Sequence, residues 1–174
     1  MRGVIRTERL TLHVLPAALV ARLVEGDLEG ARALDPPYEI TEETFADDAG
    51  VLARRHKQLT ADPTEEPWLL RAAVLAGSRQ VAGRIGFHAP PDDEGVVEVG
   101  YSVAPNHRKQ GLATEMVAGM LGWASEHGAV ACLASVSPDN VASLATIKRL
   151  GFVKVGEQMD EEDGLEWVHR RDLR

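Results

Sequence analysis

At 174 residues, 44% hydrophobic and 26% charged, the chain has the length and apolar content to bury a core without a metal or a disulfide. Nineteen basic against 27 acidic residues give a net charge of −8, which argues against a nucleic-acid binder and suits a protein whose substrate is cationic. Cys132 is the only cysteine, which excludes an intrachain disulfide and fits a reducing, cytoplasmic setting. No stretch approaches the roughly 20 apolar residues of a membrane span, and the N-terminal residues lack the positive-then-apolar pattern of a secretion signal.

In chain order, Thr7–Leu15 alternates apolar and polar residues and predicts a half-buried strand that Pro16 ends. Ala17–Val24 is helix-rich, with Gly26 and Gly30 as punctuation and Pro36-Pro37 closing the section. Thr41, followed by Glu42, Glu43 and Thr44, predicts a second helix to about Leu59, stopped by Asp62-Pro63. Trp68–Leu75 and Gln80–His88 read as strands joined by a turn at Gly77-Ser78, and Val96–Val103 adds a third after the turn Pro90–Gly95. The three predict an antiparallel meander. From Leu112 the period becomes helical, through Met116, Val117, Met120, Leu121 and Ala124, until Gly128. Ala129–Val136 is a short apolar strand. Ser137-Pro138 predicts a helix start with Ser as N-cap, and Gly151 its end. Phe152–Gly156 and Leu165–Arg170 predict closing strands around the acidic turn Asp160–Asp163. The order β-α-α-β-β-β-α-β-α-β-β describes a mixed α/β sheet in one domain, residues 1–174.

The stretch from Glu98 to Glu115 carries the chemistry. A strand runs into the basic loop Arg108-Lys109-Gln110-Gly111, and a helix starts there. The first turn of a helix has N–H groups without partners and a partial positive charge. Gly111 and Ala113 leave room for a pyrophosphate against the backbone, and Arg108 and Lys109 add charge. The residues alone leave two readings open, an anion site or a loop with a solvated basic pair. Neither Gly-x-x-x-x-Gly-Lys-Ser/Thr nor Gly-x-Gly-x-x-Gly is present.

Arg108-x-x-Gly111-x-Ala113 resembles the Arg/Gln-x-x-Gly-x-Gly/Ala signature of the GNAT superfamily of N-acetyltransferases. Asn140-x-x-Ser143, followed by Leu150-Gly151-Phe152, resembles the next helix of that superfamily. Thr7-Glu8-Arg9-Leu10-Thr11-Leu12 and Glu98-Val99-Gly100-Tyr101 resemble its branch of ribosomal-protein N-terminal acetyltransferases. The resemblance implies a mostly antiparallel central sheet, flanked by helices and splayed to admit acetyl-CoA between the strand ending at Val103 and the strand Ala131–Val136. It implies pyrophosphate binding by Lys109, Gln110, Gly111, Leu112, Ala113 and Thr114 beside Arg108. The pantetheine arm pairs with the main chain near Val103 like an added strand, and Asn140 and Ser143 face the sulfur end. The expected reaction is attack on acetyl-CoA by a primary amine, a protein N-terminus or a small molecule. A non-catalytic acyl-CoA binder is the alternative.

Glu98 is the first candidate base and His88 the second; the Val103 amide is a candidate for the oxyanion. Many superfamily members use a Tyr acid where this chain has Ile147, which leaves Ser143 to donate a hydrogen bond to the thiolate. His13, His56, His127 and His169 have no metal-ligand spacing, so no metal is expected. Trp68, Trp123 and Trp167 read as packing residues, His107 and Asp160–Asp163 as solvated ones, and Cys132 as a buried structural thiol. Monomer and homodimer both fit.

Overall fold

The computed structural model describes residues 3–173. A two-residue strand β1 (Ile5–Arg6) pairs antiparallel with β2 (Leu10–Val14), whose Leu10 and Leu12 point into the core. Pro16 precedes α1 (Ala17–Val24). A short helix that the glycine punctuation concealed, α2 (Leu28–Ala33), follows, its first turn held by the Asp27 carboxylate accepting from the Gly30 amide at 2.8 Å. The next helix, α3 (Ala49–Ala61), begins at Ala49 rather than at Thr41. The Thr41 amide and hydroxyl bond the Thr44 hydroxyl instead, and Phe45 takes a left-handed φ of 62°. Hydroxyls that bond nearby backbone compete with helix formation, so the Thr-rich start makes a turn.

Trp68 is the second correction. It lies in α4 (Glu66–Leu69), one helical turn after Pro63–Glu65, and β3 (Arg71–Leu75) starts beyond it. Then come β4 (Val81–Phe87), β5 (Val96–Val103), α5 (Leu112–Glu126) and β6 (Ala131–Val136). The last helix, α6 (Val141–Arg149), is capped by Asn140 rather than by Ser137, because the Asn140 Oδ1 accepts from the Ser143 amide at 3.1 Å. The hairpin β7 (Val153–Asp160) and β8 (Gly164–Asp172) is longer than its alternation suggested.

The strands form one sheet in the order β1-β2-β3-β4-β5-β6-β8-β7. Every neighbouring pair is antiparallel except β5 and β6, which α5 connects in parallel. Both faces are covered. Leu10, Leu12, Ala73, Ile85 and Val97 pack with Met116, Met120 and Ile147 on one face, whereas Ala72 and Val74 pack with Leu19, Leu52 and Leu59 on the other. No described helix is long and apolar enough to cross a membrane.

The feature that positions the site is where β5 and β6 part. Their pairing covers only Val96–Glu98 against Ala131–Leu133. Beyond it β5 continues beside β4 to Val103 while β6 follows β8, so the sheet opens between them.

Candidate active site

Between β5 and α5 the chain makes a turn at Pro105–His107, then Lys109 at φ 60° and Gly111 at φ 78° put two left-handed residues close together. Such alternation turns consecutive amides to one side. Among the described residues, no acceptor takes the N–H groups of Lys109, Gln110, Gly111, Leu112, Ala113 or Thr114; the first amide of α5 with a backbone partner is Glu115, bonded to Gly111 O. These are the donors that the first turn of a helix leaves unsatisfied.

The loop is held from two sides. Arg108 Nε donates to Val103 O at 3.0 Å, tying the loop to the end of β5. Arg9 donates from Nη1 to Gln110 O at 2.8 Å and from Nε to the Glu115 carboxylate at 2.7 Å. Glu115 also accepts from the Arg9 amide and the Thr7 hydroxyl, each at 2.6 Å. Burial would raise the Glu115 carboxyl, but the bonds from Thr7 and Arg9 outweigh it and hold it below the usual range. Thr7 and Arg9 thus brace the loop from the β1–β2 turn.

The His88 amide donates to Glu98 O and the Ala104 amide to Ala82 O, both at 2.8 Å. Main-chain groups alternate along an antiparallel strand, so Tyr101 and Val103 turn theirs away from β4, into the opening beside β6. There lies a cleft of about 630 Å3, floored by Tyr101–Val103, closed at one end by Arg108–Thr114 and walled by Asn140, Ser143 and Thr146 of the α6 region. Every residue expected to bind the donor lines this cleft or, for Gln110, stands in the loop that closes it.

A second cavity of about 630 Å3 adjoins it, and Tyr101, Asn140 and Ser143 line both. Its walls come from α3, β4, β5, β6 and the β7–β8 turn. Glu98 lies here. Its carboxylate accepts from Ser135 Oγ at 2.6 Å and stands 3.6 Å from His88 Nδ1. The His88 ring first, and the Ser135 hydroxyl after it, hold the Glu98 carboxyl below the usual range although burial pushes it up. The His88 ring lies over Gly100, where a Cβ would stand only 3.1 Å from Nε2. The Tyr101 hydroxyl is buried near the Ser143 and Thr146 hydroxyls without bonding geometry to either, and burial raises its pKa. Ser143 lacks an intrahelical side-chain bond among the described residues, whereas the Thr146 hydroxyl bonds back to Ala142 O at 3.1 Å.

Residues 10–153 match the family of the acetyltransferase (GNAT) domain. The chain belongs to the GNAT acetyltransferase family. A curated relative, the uncharacterized N-acetyltransferase YjdG of Bacillus subtilis, is 28% identical over 89 residues, 51% of each chain. The chain thus spans about half the length of that relative in the match. Among solved structures, the ribosomal-protein-S5-alanine acetyltransferase of Vibrio fischeri superposes with a TM-score of 0.65 at 15% identity, over 98% of this chain and 96% of that one. The microcin C7 self-immunity acetyltransferase MccE, in complex with acetyl-CoA and AMP, gives 0.65 at 16% identity, over 95% and 93%. At these identities the likeness is one of fold.

Within this GNAT fold several sequence expectations find their places. Ile147 is fully buried in the core and offers no acid to the cleft. Cys132 is buried and its thiol is pushed up to about 12 by desolvation, which suits a packing residue. Trp68 and Trp123 pack edge to face, and Trp167 lies under Lys154. No group of three or more metal-ligating side chains occurs among the described residues. His107 lines the donor cleft, and Asp160 and Asp163 line the second cavity. The turn Pro90–Gly95 lines neither space. Sequence reasoning missed Arg55, Ser135 and Tyr101. A buried arginine gives no periodic signal, and Ser135 becomes informative only once β6 lies beside Glu98.

Proposed function

We propose that this protein is an acetyl-CoA-dependent N-acetyltransferase that moves an acetyl group to a primary amine by direct attack in a ternary complex. The observation that carries this reading is the row of unbonded amides from Lys109 to Thr114, opening onto a cleft that meets a second cavity at Tyr101 and Ser143. The amides and the start of α5 suit a diphosphate, with Arg108 and Lys109 beside them. The outward-turned main chain of Tyr101 and Val103 suits the amide-rich pantetheine arm.

The amine must lose a proton to attack. A carboxylate held below its usual range is a poor proton acceptor at neutral pH, so Glu98 acts by orienting His88 through Nδ1, and the imidazole takes the proton. With reference values, about 10–15% of an α-amine is neutral at pH 7 against roughly 0.04% of a lysine, so an α-amine asks less of this base. The nitrogen–carbon bond forms, the outward-turned Tyr101 amide at the junction, rather than that of Val103 beside Arg108, donates to the oxygen as it gains charge, and the carbon–sulfur bond breaks. The electron pair leaves with sulfur, and the second proton of the attacking nitrogen passes to the thiolate, giving the neutral amide and the free thiol of coenzyme A. Ser143 stabilises the thiolate by a hydrogen bond, with the Tyr101 hydroxyl beside it, and a thiol titrating near about 8.5 needs little further help. Asn140 caps α6 and so fixes Ser143 in place.

Thiol release from acetyl-CoA in the presence of an amine panel tests the reading. Release with at least one amine, lost in His88→Gln by about 10²- to 10⁴-fold with acetyl-CoA affinity kept, is the expected result. Tight acetyl-CoA binding without release by any acceptor would establish a non-catalytic binder instead.

A further inference from the structure

The second cavity separates its charges. Arg54, Arg55 and Arg84 stand on its α3–β4 side, and Glu98, Asp160 and Asp163 on its β5 and β7–β8 side. Arg54 is paired with Glu162 at 3.2 Å and Arg84 with Asp48. Arg55 is not paired with a carboxylate among the described residues. Its Nη1 donates to Gln58 Oε1 at 2.6 Å and to His88 O at 3.5 Å, and its buried Nε has no acceptor. The residue is only 6% exposed. Burial, then the neighbouring Arg54 and Arg84, lowers its pKa to about 10, against a smaller opposing pull from Glu65. A buried cation flanked by two others, with Glu65 acting on it only from beyond ion-pair distance and its Nε without an acceptor, is costly to maintain and favours an anion brought by a ligand.

Resting on the transferase reading above, we infer that the acceptor is a small amino-carboxylate of the amino-acid type, its carboxylate on Arg55 and its amine toward His88 and Glu98. A guanidinium matches a carboxylate with two parallel hydrogen bonds. The acidic side of the cavity suits the opposite, ammonium end, which arrives charged and gives its proton to His88. A net charge of −8 does not draw an anion to the protein, so the selection by Arg55 is local. A polyamine would satisfy Asp160 and Asp163 and leave Arg55 uncompensated. A protein N-terminus would bring the amine without the adjoining carboxylate.

The experiment compares thiol release from acetyl-CoA with free α-amino acids, their α-amides, short peptides and spermidine, using the intact chain. Free acids should exceed their own amides in kcat/KM by about tenfold to a hundredfold, the range of one charge-assisted hydrogen-bonded contact. Arg55→Gln should remove that preference by raising KM for the acid far more than for its amide, with the acetyl-CoA-induced rise in Tm kept. Arg55→Lys, which keeps charge but not the fork, should keep part of it and guards against a folding defect in the first variant. Amides, peptides or spermidine serving as well as the acids would overturn the inference and leave the transferase reading standing. An acid preference that persists in a folded Arg55→Gln would overturn the role of Arg55. No release with any amine, despite acetyl-CoA binding, would overturn both readings.

Discussion

Gly111 carries two demands at once: a φ of 78° and an open approach to the amides on either side of it. A residue with a Cβ in the left-handed region costs roughly 1–2 kcal/mol, which for a chain of this size is a fall in Tm of about 2–8 °C. Gly111→Glu adds a negative charge where a diphosphate is expected. It should therefore lower the Tm of the free protein by several degrees and abolish the further rise that acetyl-CoA gives, as read by thermal unfolding with and without donor. His88 acts at a different point. His88→Gln keeps the cleft and removes the proton acceptor, so the rise of turnover with pH expected of the parent should flatten while the acetyl-CoA-induced shift in Tm stays. A pH–rate profile of both proteins checks this. Glu98→Gln should resemble it more weakly, since that carboxylate acts through the ring it orients.

At the scale of elements, the brace between the β1–β2 turn and the first turn of α5 explains why the segment from Thr7 to Arg9 matters to a site it does not line. Arg9→Ala removes the bond to Gln110 O and the pair with Glu115, so acetyl-CoA affinity should drop by about tenfold, measured by calorimetry, while the fold persists. The Glu115 carboxyl is held below the value of an unfolded Glu, near 4.3, so its contribution to stability is present above that value and is lost as pH falls through the folded one. The Tm difference between the parent and Glu115→Gln should accordingly shrink as the pH is taken from 7 to 3. Much of this architecture was legible. The limits Val96–Val103 for β5 coincide with the structure, and the Leu112–Ala124 periodicity lies within α5. The misplaced starts share one cause. Local signals point to starts at Thr41, Ser137 and Trp68, whereas Thr41–Thr44 bonds, the Asn140 cap and the proline-led turn before Trp68 decide the outcome. The donor loop was legible because one continuous stretch builds it. The second cavity was not, because Arg55, Ser135 and Asp160 meet only after three separate elements pack.

For the whole molecule, the parting of β5 and β6 after three paired residues is the decisive geometry. It supplies an unpaired strand edge, a cleft beneath α6 and a junction with a charged cavity, all from one break in an otherwise continuous sheet. Acetyl-CoA should raise the Tm of the intact protein, and ATP and NAD should not, because neither offers both a diphosphate for the loop and an arm for the strand edge. The grip of the loop on the donor is read most directly by amide NMR. Titration of coenzyme A into the ¹⁵N-labelled chain should move the amide signals of Lys109 to Thr114 most, followed by those of Tyr101 and Val103. Binding that leaves the 109–114 signals in place and moves another region would contradict the account.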